Sequence, residues 1–129
     1  MEQTLVVFKP DTVKRGLVGE ILSRFERVGL KIIGMKMIQV DEQLAKDHYP
    51  DSLADIIGNK TKIDWDNYGV KYTETPGEIG KIILDATRKF MTIAPVIAIV
   101  LEGGHAVEVV RKLVGSTGPK DSAPGTIRG

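Results

Sequence analysis

Pro95-Val96-Ile97-Ala98-Ile99-Val100-Leu101-Glu102-Gly103-Gly104 is the stretch that decides the fold. Its six apolar residues are unbroken and bounded by proline and by paired glycines, the pattern of a central strand covered on both faces. Downstream, Gly103-Gly104 turns the chain into a helix with Ala106, Val109, Val110 and Leu113 on one face, ended by Gly115. Upstream, Thr75-Pro76-Gly77-Glu78 combines an N-cap threonine, a proline at the first helical position and a glutamate that completes a capping box. Ile79, Ile82, Ile83, Ala86 and Phe90 are read as the apolar stripe of that helix.

Nearer the N-terminus, Thr4 to Phe8 is a β-branched and aromatic run stopped by Pro10, which predicts a strand. Leu17, Ile21, Phe25 and Val28 recur at helical spacing, and Gly29 stands where a helix end favours positive φ. A second strand is predicted over Leu30 to Val40, with Ile33, Met35 and Met37 alternating against Lys36 and Gln39. Asp41 is the expected N-cap of a short helix carrying Leu44 and Ala45. From Pro50 to Thr73 the signals are weaker. Ser52 to Ile57 suggests one or two helical turns stopped at Gly58. Asn59 to Thr73 then reads as a polar loop whose Trp65, Tyr68 and Tyr72 cap the core. Ser116 to Gly129, with three glycines and two prolines, is expected to be a long loop. The order implies one domain over 1–129, a split β-α-β sandwich whose fourth strand is missing.

Composition narrows the function. The 129 residues are 42% hydrophobic and 27% charged, a soluble globular balance. There is no cysteine, so disulfides, thiolate metal sites and cysteine nucleophiles are excluded. A net charge of +1, from 18 basic and 17 acidic residues, argues against a nonspecific nucleic-acid binder. No apolar run approaches the roughly 20 residues of a membrane span, and Leu5-Val6-Val7-Phe8 is too short for a signal peptide's apolar core and has no cleavage site after it, so a cytoplasmic protein is expected.

No Walker A sequence and no dinucleotide fingerprint are present, so any phosphate must be held by scattered side chains. Lys9, fixed between Phe8 and Pro10, Arg111 on the last helix, and Thr117 and Arg128 in the terminal loop are the candidates. Two guanidiniums and an ammonium suit a polyphosphate, since they neutralise charge that spreads over its oxygens during transfer. On composition alone, a set of solvated basic residues is the commoner explanation. His48 and His105 lack partners at triad or metal-ligand spacing and are expected to be structural or surface residues.

Several strings together resemble nucleoside diphosphate kinases. These are Lys9-Pro10-Asp11, Arg15-Gly16-Leu17-Val18-Gly19-Glu20-Ile21, His48-Tyr49, Glu102-Gly103 leading into Val107 to Arg111, and Ala123-Pro124-Gly125-Thr126-Ile127-Arg128-Gly129. The resemblance implies an α+β, ferredoxin-like domain with an antiparallel sheet that assembles as a hexamer or tetramer. It also implies transfer of the γ-phosphate of a nucleoside triphosphate to a nucleoside diphosphate through phosphohistidine, with Mg²⁺ bound to the nucleotide phosphates. Lys9 would then contact phosphates and sugar, Tyr49 would support the site, and Arg111, Thr117 and Arg128 would bind phosphates. No metal ligand is expected from protein side chains.

Two departures stand out. The family's short base-stacking segment after His-Tyr is replaced by a longer variable segment, about 50–91, in which Leu53, Ile56 and Trp65 are candidates for the base platform. The family's nucleophilic histidine lies on a final strand beyond the Thr-Ile-Arg-Gly string, past Gly129, so this chain is expected to be cut before it and inactive by itself. The alternative is a complete, non-catalytic module that binds nucleotide or forms oligomers.

Overall fold

The computed structural model describes residues 1–115 and 124–128. The run after Pro95 forms β3, Val96–Gly103, the middle strand of the sheet. β1, Glu2–Phe8, and β2, Lys31–Ile38, pair antiparallel on either side of it, giving the order β1-β3-β2. This is three places of a ferredoxin-like sheet, and among the described residues no strand pairs with the outer edge of β1. The chain clusters into two compact units, residues 1–38 with those from Val96 onward, and Gln39–Pro95.

In the first unit, α1 (Pro10–Lys14) follows β1, α2 (Val18–Arg27) connects towards β2, and α6 (Ala106–Val114) follows β3. Phe8, Ile21, Phe25, Leu30, Ile97, Ile99, Leu101, Ala106 and Val110 form one buried cluster. Phe25, Ile99 and Leu101 are completely shielded from water. α2 ends at Gly29, which takes φ +91° while its N–H bonds the Glu26 carbonyl and the Leu30 N–H bonds that of Phe25. These two bonds make a Schellman cap, which the glycine permits because it carries no Cβ. β2 departs from simple alternation through a bulge between Ile32 and Gly34. Beyond it Met35 and Met37 pair with Ile99 and Ile97, sharing their face, yet remain 53% and 59% exposed at the edge of the sheet.

The second unit is helical. The Asp41 carboxylate accepts from the Leu44 N–H at 2.7 Å and starts α3, Glu42–His48. A single 3₁₀ turn, Asp51–Leu53, leads into α4, Ala54–Asn67. The Thr75–Glu78 capping box forms as expected at the head of α5, Pro76–Thr92.

Two expectations fail in this unit. α4 runs through Gly58 and covers most of the stretch expected to be loop. Gly58 is a packing residue: a Cβ there would meet the Pro76 carbonyl, and one on Gly80 would meet the carbonyl of Ala54. The real stop is Gly69, at φ +70°, where Val70 and Gly69 donate to the Trp65 and Asp66 carbonyls in a second Schellman cap. On α5 the buried face is Ile79, Gly80, Leu84 and Met91, whereas Ile82 is 60% exposed and Ala86 also faces out. The stripe is turned because the closest contact is made by a glycine, which hydropathy does not mark. Trp65 and Tyr72 are half-buried and meet with their rings tilted by 52°, while Tyr68 is exposed, so the aromatics cap α4 only in part.

Candidate functional site

The first cation is placed by a strand end. Lys9 follows Phe8 and occupies the N-cap position of α1 at φ −69° and ψ 167°. Its neighbours Phe8 and Pro10 are both buried while Lys9 is exposed. The backbone is therefore held on each side and the ammonium leaves from a rigid base. Pro10 needs no hydrogen-bond partner at the first helical position, where an N–H would have none within the helix.

Arg111 and Arg128 are brought together by a helix end. α6 stops at Gly115, which takes φ +91°. This leaves late carbonyls of the helix in need of donors. Two are supplied by the tail: the Ile127 N–H donates to Leu113 at 2.7 Å and the Arg128 N–H to Val114 at 2.9 Å. The Arg128 guanidinium also reaches the Gly115 carbonyl at 3.5 Å, and Arg24 on α2 donates to the Gly125 carbonyl at 3.2 Å. Ile127 packs against the core cluster and fixes the register of this docking. Arg24 escaped the sequence reading, since an arginine on a helix carries no local sign of a distant carbonyl.

These contacts produce two neighbouring cavities that share Arg128. One, of about 560 Å³, is bounded by Leu5, Val6 and Val7 of β1 and by Arg111, Gly115 and Arg128. The other, of about 320 Å³, contains Lys9, Asp11, Thr12, Arg15 and Arg128. Lys9, Arg111 and Arg128 thus line adjoining cavities of the first unit. Thr117 lies outside the described residues.

Tyr49 belongs to the helical unit. It is half-buried at the C-cap of α3, and its ring meets that of His48 edge-on at 4.7 Å. Its carbonyl accepts from Arg88 of α5, a residue the sequence reading passed over. Of the base-platform candidates, Leu53 and Trp65 are half-buried and Ile56 is 66% exposed. His48 is exposed on α3, and His105 holds a left-handed backbone, φ 55°, at the start of α6. Among the described residues no three histidine or carboxylate side chains gather as a metal site. No helix among them is long and apolar enough to cross a membrane.

The profile of one family, nucleoside diphosphate kinase, matches residues 2–57 and 59–129. A curated nucleoside diphosphate kinase of Pyrococcus furiosus is 47% identical over 129 residues, and this chain spans 64% of its length. A crystal structure of an NDP kinase from Pyrobaculum aerophilum superposes with a TM-score of 0.91 at 42% identity, covering 98% of this chain and 74% of that one. The Borrelia burgdorferi nucleoside-diphosphate kinase, solved as a transition-state mimic with vanadate and ADP, gives a TM-score of 0.71 at 42% identity. That comparison covers 98% of this chain and 63% of the other.

Proposed function

This chain belongs to the nucleoside diphosphate kinase family, and we propose that it supplies the phosphate-holding part of an enzyme moving the γ-phosphate of a nucleoside triphosphate to a nucleoside diphosphate. The observation that carries this reading is the pair of arginines, 111 and 128, lining one cavity against β1, with Lys9 in the cavity next to it. A guanidinium presents a planar fork of donors that matches two phosphate oxygens at once. Lys9 adds a point charge from a fixed backbone, and Thr117 a hydroxyl. Such groups favour transfer by neutralising charge on the phosphoryl oxygens, with no covalent chemistry of their own. Because they read phosphates and leave the base unread, the site accepts many nucleosides.

The cationic side chains cannot ligate a metal ion, so Mg²⁺ enters as part of the substrate, on the nucleotide's own phosphate oxygens. In the transfer, the bond from the γ-phosphorus to the bridging oxygen breaks as one to a histidine nitrogen forms. The family's nucleophile falls on a strand beyond Gly129. In a ferredoxin-like sheet that strand pairs with β1, which already lines the arginine cavity. The chain acts as one kinase-like domain with its variable segment at about 50–91, in a cytoplasmic homo-oligomer, hexamer or tetramer. The uncovered methionines on the β2 edge support such an assembly.

The test is a calorimetric titration with Mg²⁺ and ADP. Replacing Arg111 or Arg128 by alanine should weaken binding at least about tenfold, the scale of a lost charge-assisted hydrogen bond. Unchanged affinity would refute the site. After incubation with γ-labelled ATP, acid-labile phosphate on His48 or His105 would overturn the placement of the nucleophile.

A further inference from the structure

We propose that Arg24 is a positioning residue for phosphate binding: it holds the turn of the tail that carries Arg128, and so sets where that guanidinium stands. The inference rests on Arg128 being part of the phosphate site.

Arg24 lies on α2 beside the buried residues Ile21 and Phe25, and it lines neither of the cavities that contain Arg128. Its two Nη atoms are used in different directions. Nη2 meets Glu20 Oε1, one turn earlier on α2, at 3.2 Å, while Nη1 donates to the Gly125 carbonyl at 3.2 Å. The ion pair is half in water, with side chains 32% and 60% exposed, and by itself contributes little to stability. What it does is fix which way the fork faces. The bond to Gly125 then crosses to the tail, 101 residues away in the chain.

Gly125 takes φ +89°, so the tail turns at this residue. Just beyond it, Ile127 packs against the core cluster and gives its N–H to Leu113, and Arg128 gives its N–H to Val114. The tail is thus anchored to α2 before Ile127 and to α6 after it. A segment held at one point can swing about that point, and the long arginine stem turns a small swing into a large displacement of the charge. Two anchors on different helices remove that freedom. A guanidinium suits the first anchor, because its bond to a carbonyl is charge-assisted and its planar fork serves Glu20 at the same time. A lysine would keep the charge and lose the fork.

Two measurements on the full chain test this, one of them independent of nucleotide. Arg24→Met keeps the apolar stem and removes the guanidinium. Amide hydrogen exchange followed by NMR should then be about tenfold faster at Ile127 and Arg128, the scale of a lost charge-assisted bond. The amides of Val109, bonded to His105 within α6, and of Leu30, bonded to Phe25 at the end of α2, should be unchanged. The second measurement is a double-mutant cycle on Mg²⁺–ADP affinity by calorimetry, with Arg24→Met, Arg128→Ala and their combination. Arg24→Met should weaken ADP about tenfold, in line with a small misplacement of a binding group. It should cause no further loss once Arg128 is alanine, whereas its effect should multiply with that of Lys9→Ala. Arg24→Lys should recover part of both readouts, and it takes over both if Arg24→Met does not fold.

The proposal is overturned if exchange at Ile127 and Arg128 does not change, or if Val109 and Leu30 speed up with them, which is the sign of a merely structural arginine. An affinity that Arg128→Ala lowers and Arg24→Met leaves alone would overturn it too, as would equal losses with and without the Arg128 side chain. If the unaltered chain binds no ADP, the phosphate-site reading fails, and the exchange rates alone decide whether Arg24 places the tail.

Discussion

The sheet unit and the helical unit hold themselves together by different means. Around β3 the contacts run from side chain to side chain, with Phe25, Ile99 and Leu101 enclosed by apolar neighbours. Between α4 and α5 the closest contact is backbone to backbone, at Gly58 and Gly80. A side-chain core answers the loss of volume with a graded penalty, because neighbours relax partway into the gap. A glycine crossing has nothing to lose and no room to gain. The first unit should therefore be sensitive to deletion and the second to addition.

Phe25→Ala tests the first half and should have the largest effect, about 3–5 kcal/mol of lost stability for an aromatic removed from an enclosed site. Urea unfolding followed by circular dichroism measures it. A loss below about 1 kcal/mol would mean that the core collapses onto the gap and that the contrast fails. Gly80→Ala tests the second half. Alanine is normally better than glycine inside a helix by about 1 kcal/mol, yet here the Cβ would strike the Ala54 carbonyl. Overpacking of this kind costs about 1–3 kcal/mol, so the sign should reverse. Gly19→Ala on α2 is the control, since a Cβ there has nothing within 4 Å, and it should be neutral or stabilising. If calorimetric melting finds both substitutions stabilising, the crossing is not what holds the hairpin.

Thr75→Ala should come next, at about 1 kcal/mol for the loss of a helix N-cap. The capping box satisfies two donors reciprocally, through Thr75 Oγ1 and the Glu78 carboxylate. Thr75→Asp should restore most of the melting temperature, because aspartate also accepts at an N-cap. Failure of that rescue would place the role of threonine elsewhere.

The same contrast explains how far the sequence could be read. Pro95 to Gly104, the Thr75 box and Gly29 announce themselves locally, and each forms the expected element. Lys9 stands where its neighbours imply, at a strand end where rigid backbone meets solvent. Gly58 was misread because a glycine that stops a helix and one that admits a neighbouring backbone look identical in one dimension. Arg88 gave no sign at all, for its acceptor lies thirty-nine residues away in the chain. The orientation of α5 failed with Gly58, since its buried face is set by that crossing.

The smallest effect concerns the polar closure of α4. Tyr72 folds back so that its hydroxyl donates to Asp66 at 2.6 Å, and Lys62 reaches the same carboxylate at 3.1 Å. The bonds from Tyr72 and then Lys62 lower the Asp66 pKa below its ordinary 3.8. Asp66 in turn raises Lys62 above 10.5 and Tyr72 above 10.0. A depressed carboxylate contributes stability above its unfolded pKa and loses it as pH falls through the folded one; the raised groups contribute below their unfolded values and lose it as pH rises. The contribution is therefore level between 3.8 and 10.0 and falls away on both sides. The melting-temperature gap between the unaltered chain and Asp66→Asn should follow that profile, small across neutral pH and narrowing as pH falls below 3.8. A gap still open in acid would show that the geometry of the side chain at position 66, rather than its charge, holds Tyr72 against α4.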